Sequence, residues 1–125
     1  MNVVDSSGWI EYFTKDTNAQ FFIPPIQDLG NLLVPTICVY EVFKRILLER
    51  GEESALQAAG VMSHGREIDL NRKIALEAAQ ISTELKLAMA DSIILATARA
   101  YDATLWTQDV HFKDIEGVRY IEKKS

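Results

Sequence analysis

Four of the 18 acidic residues stand where a carboxylate is costly to place: Asp5, Glu41, Asp91 and Asp109. Asp5 closes the apolar pair Val3-Val4. Glu41 sits in Val39-Tyr40-Glu41-Val42-Phe43, four residues after Ile37 and therefore on the same helical face. Asp91 lies in Leu87-Ala88-Met89-Ala90-Asp91-Ser92-Ile93-Ile94-Leu95, and Asp109 follows Trp106-Thr107-Gln108. A buried carboxylate without a partner is unfavourable, and several together repel one another. A cation at their centre removes both penalties, yet no Lys, Arg or His adjoins Asp5 or Asp91. A hard divalent ion, Mg²⁺ or Mn²⁺, suits oxygen ligands and retained waters. Carboxylates gathered around such an ion are the equipment of phosphoryl-transfer enzymes. Each acid taken singly also has an ordinary use as a cap, a turn residue or a first-turn helix acid. The residue types alone leave these two readings level. The remaining acids, among them Glu49, Glu52, Glu53, Glu77, Glu84 and Glu122, sit among other charges and read as solvated surface.

The elements that must position these groups are short. Val3-Val4 reads as the end of a first strand, and Ser6-Ser7-Gly8 as a turn in which Ser7 caps a helix through Phe13. A second helix holds Ala19, Phe21 and Phe22 and is expected to stop at Pro24-Pro25. Leu32 to Val34 is a buried strand; Pro35-Thr36 opens a helix that runs to about Arg50 and closes at Gly51. An Ala-rich helix covers Glu52 to Ser63, and a strand is expected at Glu67–Leu70. Asn71 caps a helix with Ile74, Leu76, Ala78 and Ile81 on its apolar side. Ala90 to Tyr101 is apolar nearly all round, the mark of a deeply buried helix. Thr104–Thr107 and Val118–Ile121 are the last strands. Apolar strands alternating with helices predict βαβ units, a parallel sheet and an α/β sandwich. Ligands in such folds sit outside the carboxyl ends of the strands, which selects Asp5 and Asp109.

Length and composition set the outer bounds. The 125 residues, 48% apolar and 25% charged, predict a single globular domain spanning 1–125. The charge-free runs 29–40 and 54–65 are too short to cross a bilayer, and Met1 to Asp5 lack the basic-then-apolar pattern of a secretory signal. Cys38 is the only cysteine and has no internal disulfide partner, so a cytoplasmic location is expected. The net charge of −5 argues against binding nucleic acid through a broad basic surface.

The stretches VVDSSGWIEYF at 3–13, PTICVYEVFKRIL at 35–47, LAMADSIILATAR at 87–99 and LWTQDVHFKDIEGVRYI at 105–121 resemble the PIN-domain family, and within it the VapC-type ribonuclease toxins. That resemblance implies a three-layer α/β/α PIN-like sandwich with a central parallel sheet of four to five short strands. It maps the family's acidic quartet onto Asp5, Glu41, Asp91 and Asp109. It implies a metal-dependent endoribonuclease in which Asp5, Asp91 and Asp109 hold Mg²⁺ or Mn²⁺, with Glu41 contributing directly or through water. Ser6 and Ser7 stand for the small polar residue after the first aspartate, and Thr107 for the hydroxyl before the last. Ser7 and Thr107 are expected to orient carboxylates, and Asp114 is a candidate for a further acid near the last. The implied partners are an RNA substrate, a second copy in a homodimer, and a cognate VapB-like antitoxin that binds operator DNA in a type II toxin–antitoxin system. A PIN nuclease with a non-toxin role in RNA processing, and a silent binding module acting through its antitoxin complex, are the alternatives. The acidic balance is compatible with an RNA-cutting site, because cations bound among the carboxylates invert the local sign.

Several residues carry weaker signals. His111 is read as part of a short structural helix, and Cys38 as a small buried residue. Gly8, Gly51 and Gly117 read as turn glycines. Lys44, Arg45 and Arg50 share a helix with Glu41 and suit RNA phosphates, an antitoxin acid or plain solvent equally. Trp9, Tyr12 and Phe13, beside Tyr40 and Phe43, form core or in part a groove for an antitoxin's amphipathic segment. There is no Walker-type loop and no GxGxxG, so nucleotide-cofactor binding has no support.

Overall fold

The computed structural model describes residues 1–124. In chain order the elements are β1 (Asn2–Val4), α1 (Ser6–Thr14), α2 (Ala19–Gln27), β2 (Leu32–Pro35), α3 (Thr36–Arg50), α4 (Glu52–Met62), β3 (Arg66–Ile68), α5 (Arg72–Leu85), α6 (Met89–Ala100), β4 (Thr104–Thr107) and β5 (Val118–Tyr120). Single 3₁₀ turns occupy Leu29–Asn31 and Val110–Phe112. The strands form one sheet in the order β3-β2-β1-β4-β5, with every neighbouring pair parallel. Successive side chains of a strand point to opposite faces. Val3 and Val4 are both fully buried, so helices cover both faces of the central strand, as the three-layer expectation requires. The chain leaves β1 for β2 on one side and returns to β4 on the other. The carboxyl end of β1 is therefore the switch point of the sheet, where open α/β folds bind ligands. Asp5 is the next residue.

Most expected elements recur within one or two residues, and the differences have physical causes. The tandem prolines do not stop α2, which continues to Gln27 and closes with the Asp28 amide donating to the Pro24 carbonyl at 3.2 Å. Proline's fixed φ is itself helical, so what is lost is the pair of amide donors. Burial of Phe22, Pro25 and Ile26 on this helix offsets that loss. The third strand starts at Arg66 and ends at Ile68, because its partner Pro35 is the last residue of β2 before α3 begins. Leu76 is exposed rather than part of the apolar side of α5; Ile74, Ala78 and Ile81 are buried, and a residue two after Ile74 points away from them. Tyr40 is also exposed and belongs to no core, whereas Trp9 is fully buried.

Gly8 corrects the turn expected at 6–8. It lies inside the first turns of α1, buried against α2. A Cβ placed there would stand 2.6 Å from Cε1 of Phe22 and 2.7 Å from Cγ1 of Val4. Gly8→Ala is expected to lower the stability by about 1–3 kcal/mol through overpacking. Urea denaturation checks it: an unchanged midpoint would mean that α2 yields freely. Gly51 and Gly117, at φ +90° and +83°, fill the left-handed positions expected of them.

Candidate metal centre

Asp5 is set by its backbone before its side chain acts. Its amide donates to the Trp106 carbonyl at 3.1 Å, extending the β1–β4 ladder by one residue. Its extended φ and ψ of −73° and 172° then make it the N-cap of α1, a role expected of Ser7. The carboxylate does the capping: Oδ1 accepts from the Gly8 amide at 2.9 Å and from Ser7 Oγ at 2.8 Å. Ser7 donates to this cap instead of forming it, because the helix begins at Ser6 and leaves residue 5 the last with non-helical dihedrals before it. Oδ2 accepts from Thr107 Oγ1 at 2.6 Å. Thr107 Oγ1 in turn accepts from the Asp109 amide at 2.9 Å. One buried hydroxyl therefore joins the carboxyl ends of β1 and β4 and fixes the start of the segment carrying Asp109. Burial pushes the Asp5 carboxyl up to about 7; the bonds from Thr107, Gly8 and Ser7 pull it down and the Asp109 charge adds to the rise.

Asp91 comes from the first turn of α6 and is half-buried. Burial, then the charges of Asp109 and Glu41, push it up to about 6, with His111 opposing. No hydrogen bond holds this carboxylate among the described residues. Glu41 arrives from α3, where it accepts from Ser6 Oγ at 2.6 Å. Asp109 caps the 3₁₀ turn, its Oδ1 accepting from the His111 amide at 2.9 Å and lying 2.8 Å from His111 Nδ1. A cleft of about 410 Å³ takes its lining from Asp5, Ser6, Ser7, Glu41, Asp91 and Asp109, with Ile10, Tyr40, Lys44, Arg45 and Leu48. Thr107 lies buried beneath it. All four predicted acids thus reach one cleft from four different segments. Asp114 does not line it; the residue is exposed, in a left-handed turn at φ +66°.

The donor set suits a hard cation. It gathers carboxylates from four segments, and the Asp91 oxygens accept no hydrogen bond among the described residues. Beneath it, the Cys38 thiol donates weakly to the Val4 carbonyl and burial holds its pKa far above the usual range, so it stays a small neutral residue as expected. Arg45 pairs with Glu49 on the surface of α3, leaving Lys44, set over the Tyr40 ring, as the rim ammonium with no carboxylate partner among the described residues.

A buried polar network escaped the sequence reading. Glu11 accepts from the Asn18 amide at 2.8 Å and from Gln108 Nε2 at 2.9 Å. Asn18 Nδ2 donates to Gln108 Oε1 and to the Glu122 carbonyl, each at 3.0 Å. Gln108 lies between two cleft-supporting residues and points the opposite way, which locks the segment from behind. Only the alternation of Thr107-Gln108-Asp109 hinted at it. Strand periodicity sends neighbours to opposite faces, and a polar residue sent inward must find partners.

The sequence model of the family described as "PIN domain" matches residues 3–118. Among solved structures, a toxin–antitoxin complex from Klebsiella pneumoniae is 25% identical, with a TM-score of 0.76 over 95% of this chain and 96% of that one. The fold also matches VapC20 of Mycobacterium tuberculosis, a sarcin-ricin-loop-cleaving toxin, at 14% identity and a TM-score of 0.77 over 93% and 95% of the two chains. DNA-bound VapBC from Salmonella typhimurium matches at 18% identity and a TM-score of 0.76 over 97% and 96%. No curated protein sequence matches the chain. No described helix is long and apolar enough to cross a membrane.

Proposed function

The chain belongs to the PIN-domain family, and on that footing we propose that it is a divalent-metal-dependent endoribonuclease, the toxin of a type II toxin–antitoxin pair. The observation that carries this reading is the convergence of Asp5, Glu41, Asp91 and Asp109 on one cleft, two of them with carboxyl pKa values raised by burial and by the neighbouring acids. Mg²⁺ or Mn²⁺ held by Asp5, Asp91 and Asp109, with Glu41, would lower the pKa of a water and offset charge gathering on the scissile phosphate. The protein's own residues supply rigidity and access. Thr107, Ser7 and the Gly8 amide hold the Asp5 carboxylate in one orientation, so no reorganisation is needed when a cation arrives. Ser6 performs the same service for Glu41. Asp91 contributes oxygens that nothing else engages. Lys44 gives the α3 side of the cleft a positive charge for the RNA backbone.

An antitoxin partner of the VapB kind, itself the operator-binding component, accords with the neighbouring toxin–antitoxin complexes. A second groove of about 230 Å³ between α1, α3 and α4, with Phe13, Ile46, Ala58 and Val61 in its walls, suits an amphipathic segment. The direct test is incubation of the purified chain with cellular RNA. Cleavage is expected in Mg²⁺ or Mn²⁺, leaving 5′-phosphate and 3′-hydroxyl ends, and is expected to stop in excess EDTA and on adding the antitoxin. Full cleavage in EDTA would exclude the metal mechanism, and cleavage unaffected by the antitoxin would exclude the toxin role.

A further inference from the structure

Asp91, Asp109 and His111 each bring one ligand atom to a common point, all within 4.8 Å of one another. We infer that His111 is a nitrogen ligand of the cation, and that this chain therefore selects Mn²⁺ or another transition-metal divalent over Mg²⁺. The inference deepens the metal-dependent reading above and rests on it. The placement follows from the 3₁₀ turn Val110–Phe112. Phe112 is fully buried and anchors the turn, while Asp109 caps it through the His111 amide. The imidazole is largely exposed, yet its Nδ1 is turned back to within 2.8 Å of Asp109 Oδ1. In an octahedral shell with bonds of about 2.1 Å, adjacent donors stand about 3 Å apart and opposite ones about 4.2 Å. The His111–Asp109 pair, at 2.8 Å, already stands at the spacing of adjacent donors, and no ligand atom of the three lies more than 4.8 Å from another. Imidazole nitrogen favours the transition divalents, whereas Mg²⁺ takes oxygen and keeps its waters. A carboxylate-only site has no such preference built into it.

The competing role for His111 is a hydrogen bond to Asp109 that merely orients it. Two measurements on the metal-free full chain separate these roles: Mn²⁺ and Mg²⁺ binding by titration calorimetry, and pulsed electron paramagnetic resonance of the Mn²⁺-loaded protein. The wild type is expected to bind Mn²⁺ more tightly than Mg²⁺ and to show nitrogen hyperfine coupling. In His111→Ala the coupling is expected to vanish and Mn²⁺ affinity to fall about 10-fold or more, with Mg²⁺ affinity changed by less than about 2-fold. His111→Asn keeps a donor for Asp109 without an imidazole and is expected to behave as His111→Ala does. Absent coupling in the wild type, an equal loss for both ions in His111→Ala, or Mn²⁺ affinity retained in His111→Asn would each overturn the ligand role. Wild-type binding of both ions without nitrogen coupling would leave the metal-dependent nuclease standing and remove only this inference. Failure to bind either ion would remove both.

Discussion

Replacing Asp91 by Asn is expected to lower RNA cleavage on the order of 10³-fold while leaving the metal-free protein more stable than its parent. The two effects have one origin. Asp91 accepts no hydrogen bond among the described residues, and its half-buried carboxylate faces the charges of Asp109 and Glu41. Its only service to the fold is as a first-turn acid of α6, worth about 0.3–1 kcal/mol through the helix dipole. Relief of the repulsion is larger, on the order of 1 kcal/mol after allowing for solvent screening at a half-exposed group. The amide keeps the shape and removes the charge on which cation binding depends. Thermal melts in EDTA should show the gain, and cleavage assays in Mn²⁺ the loss. A variant that cuts RNA at the parental rate, or that melts lower without metal, would sink this assignment.

The metal-free protein is also expected to be more stable at pH 5 than at pH 8, opposite to the trend of most acid-paired domains. Asp5 rises from 3.8 to about 7 on folding. Between those values the folded state binds a proton that the unfolded chain has released, so stability falls as pH climbs through that window. The stabilisation is complete near pH 4 and gone above pH 7. A shift of this size corresponds to on the order of 4 kcal/mol, and Asp91 contributes in the same direction. The Asp109 charge faces Asp5 as a like charge; Asp91 faces Asp109 and Glu41 as like charges and His111 as the opposing one. Mn²⁺ at pH 8 should recover part of the loss, about 2.7 kcal/mol at a hundred times the dissociation constant. Asp5→Asn should flatten the apo profile. Chemical denaturation at both pH values decides the matter; a metal-free protein more stable at pH 8 contradicts the burial of Asp5.

Much of this was legible in the chain. Pro35-Thr36, Asn71 and Gly51 mark helix boundaries through chemistry local to a few residues, and α3 and α5 begin where those residues place them. The strands were readable because parallel strands buried on both faces are plain apolar runs, as at Leu32–Val34. The four acids stood out for the converse reason, being charges in apolar settings. What escaped depends on contacts between segments remote in sequence. Gly8 looks like a turn glycine until Phe22 is packed over it. The Ser6–Glu41 bond spans 35 positions, and Gln108 reaches Glu11 across 97. Pro24-Pro25 misled because helix-breaking is a local tendency, and packing of Phe22 and Ile26 overrides it.

Asp5 holds two offices at once, since the same oxygen atoms that face the cleft also open α1. Asp91 holds only one. Relaxed selection on a copy of this gene would therefore act on them unequally. Loss of Asp91 removes the charge on which cation binding depends and leaves a sturdier protein, so such copies persist. Replacement of Asp5 by anything but Asn removes a helix cap together with the charge. Descendants that lose the acidic cleft should accordingly keep Asp or Asn at position 5 and lack the aspartate in α6.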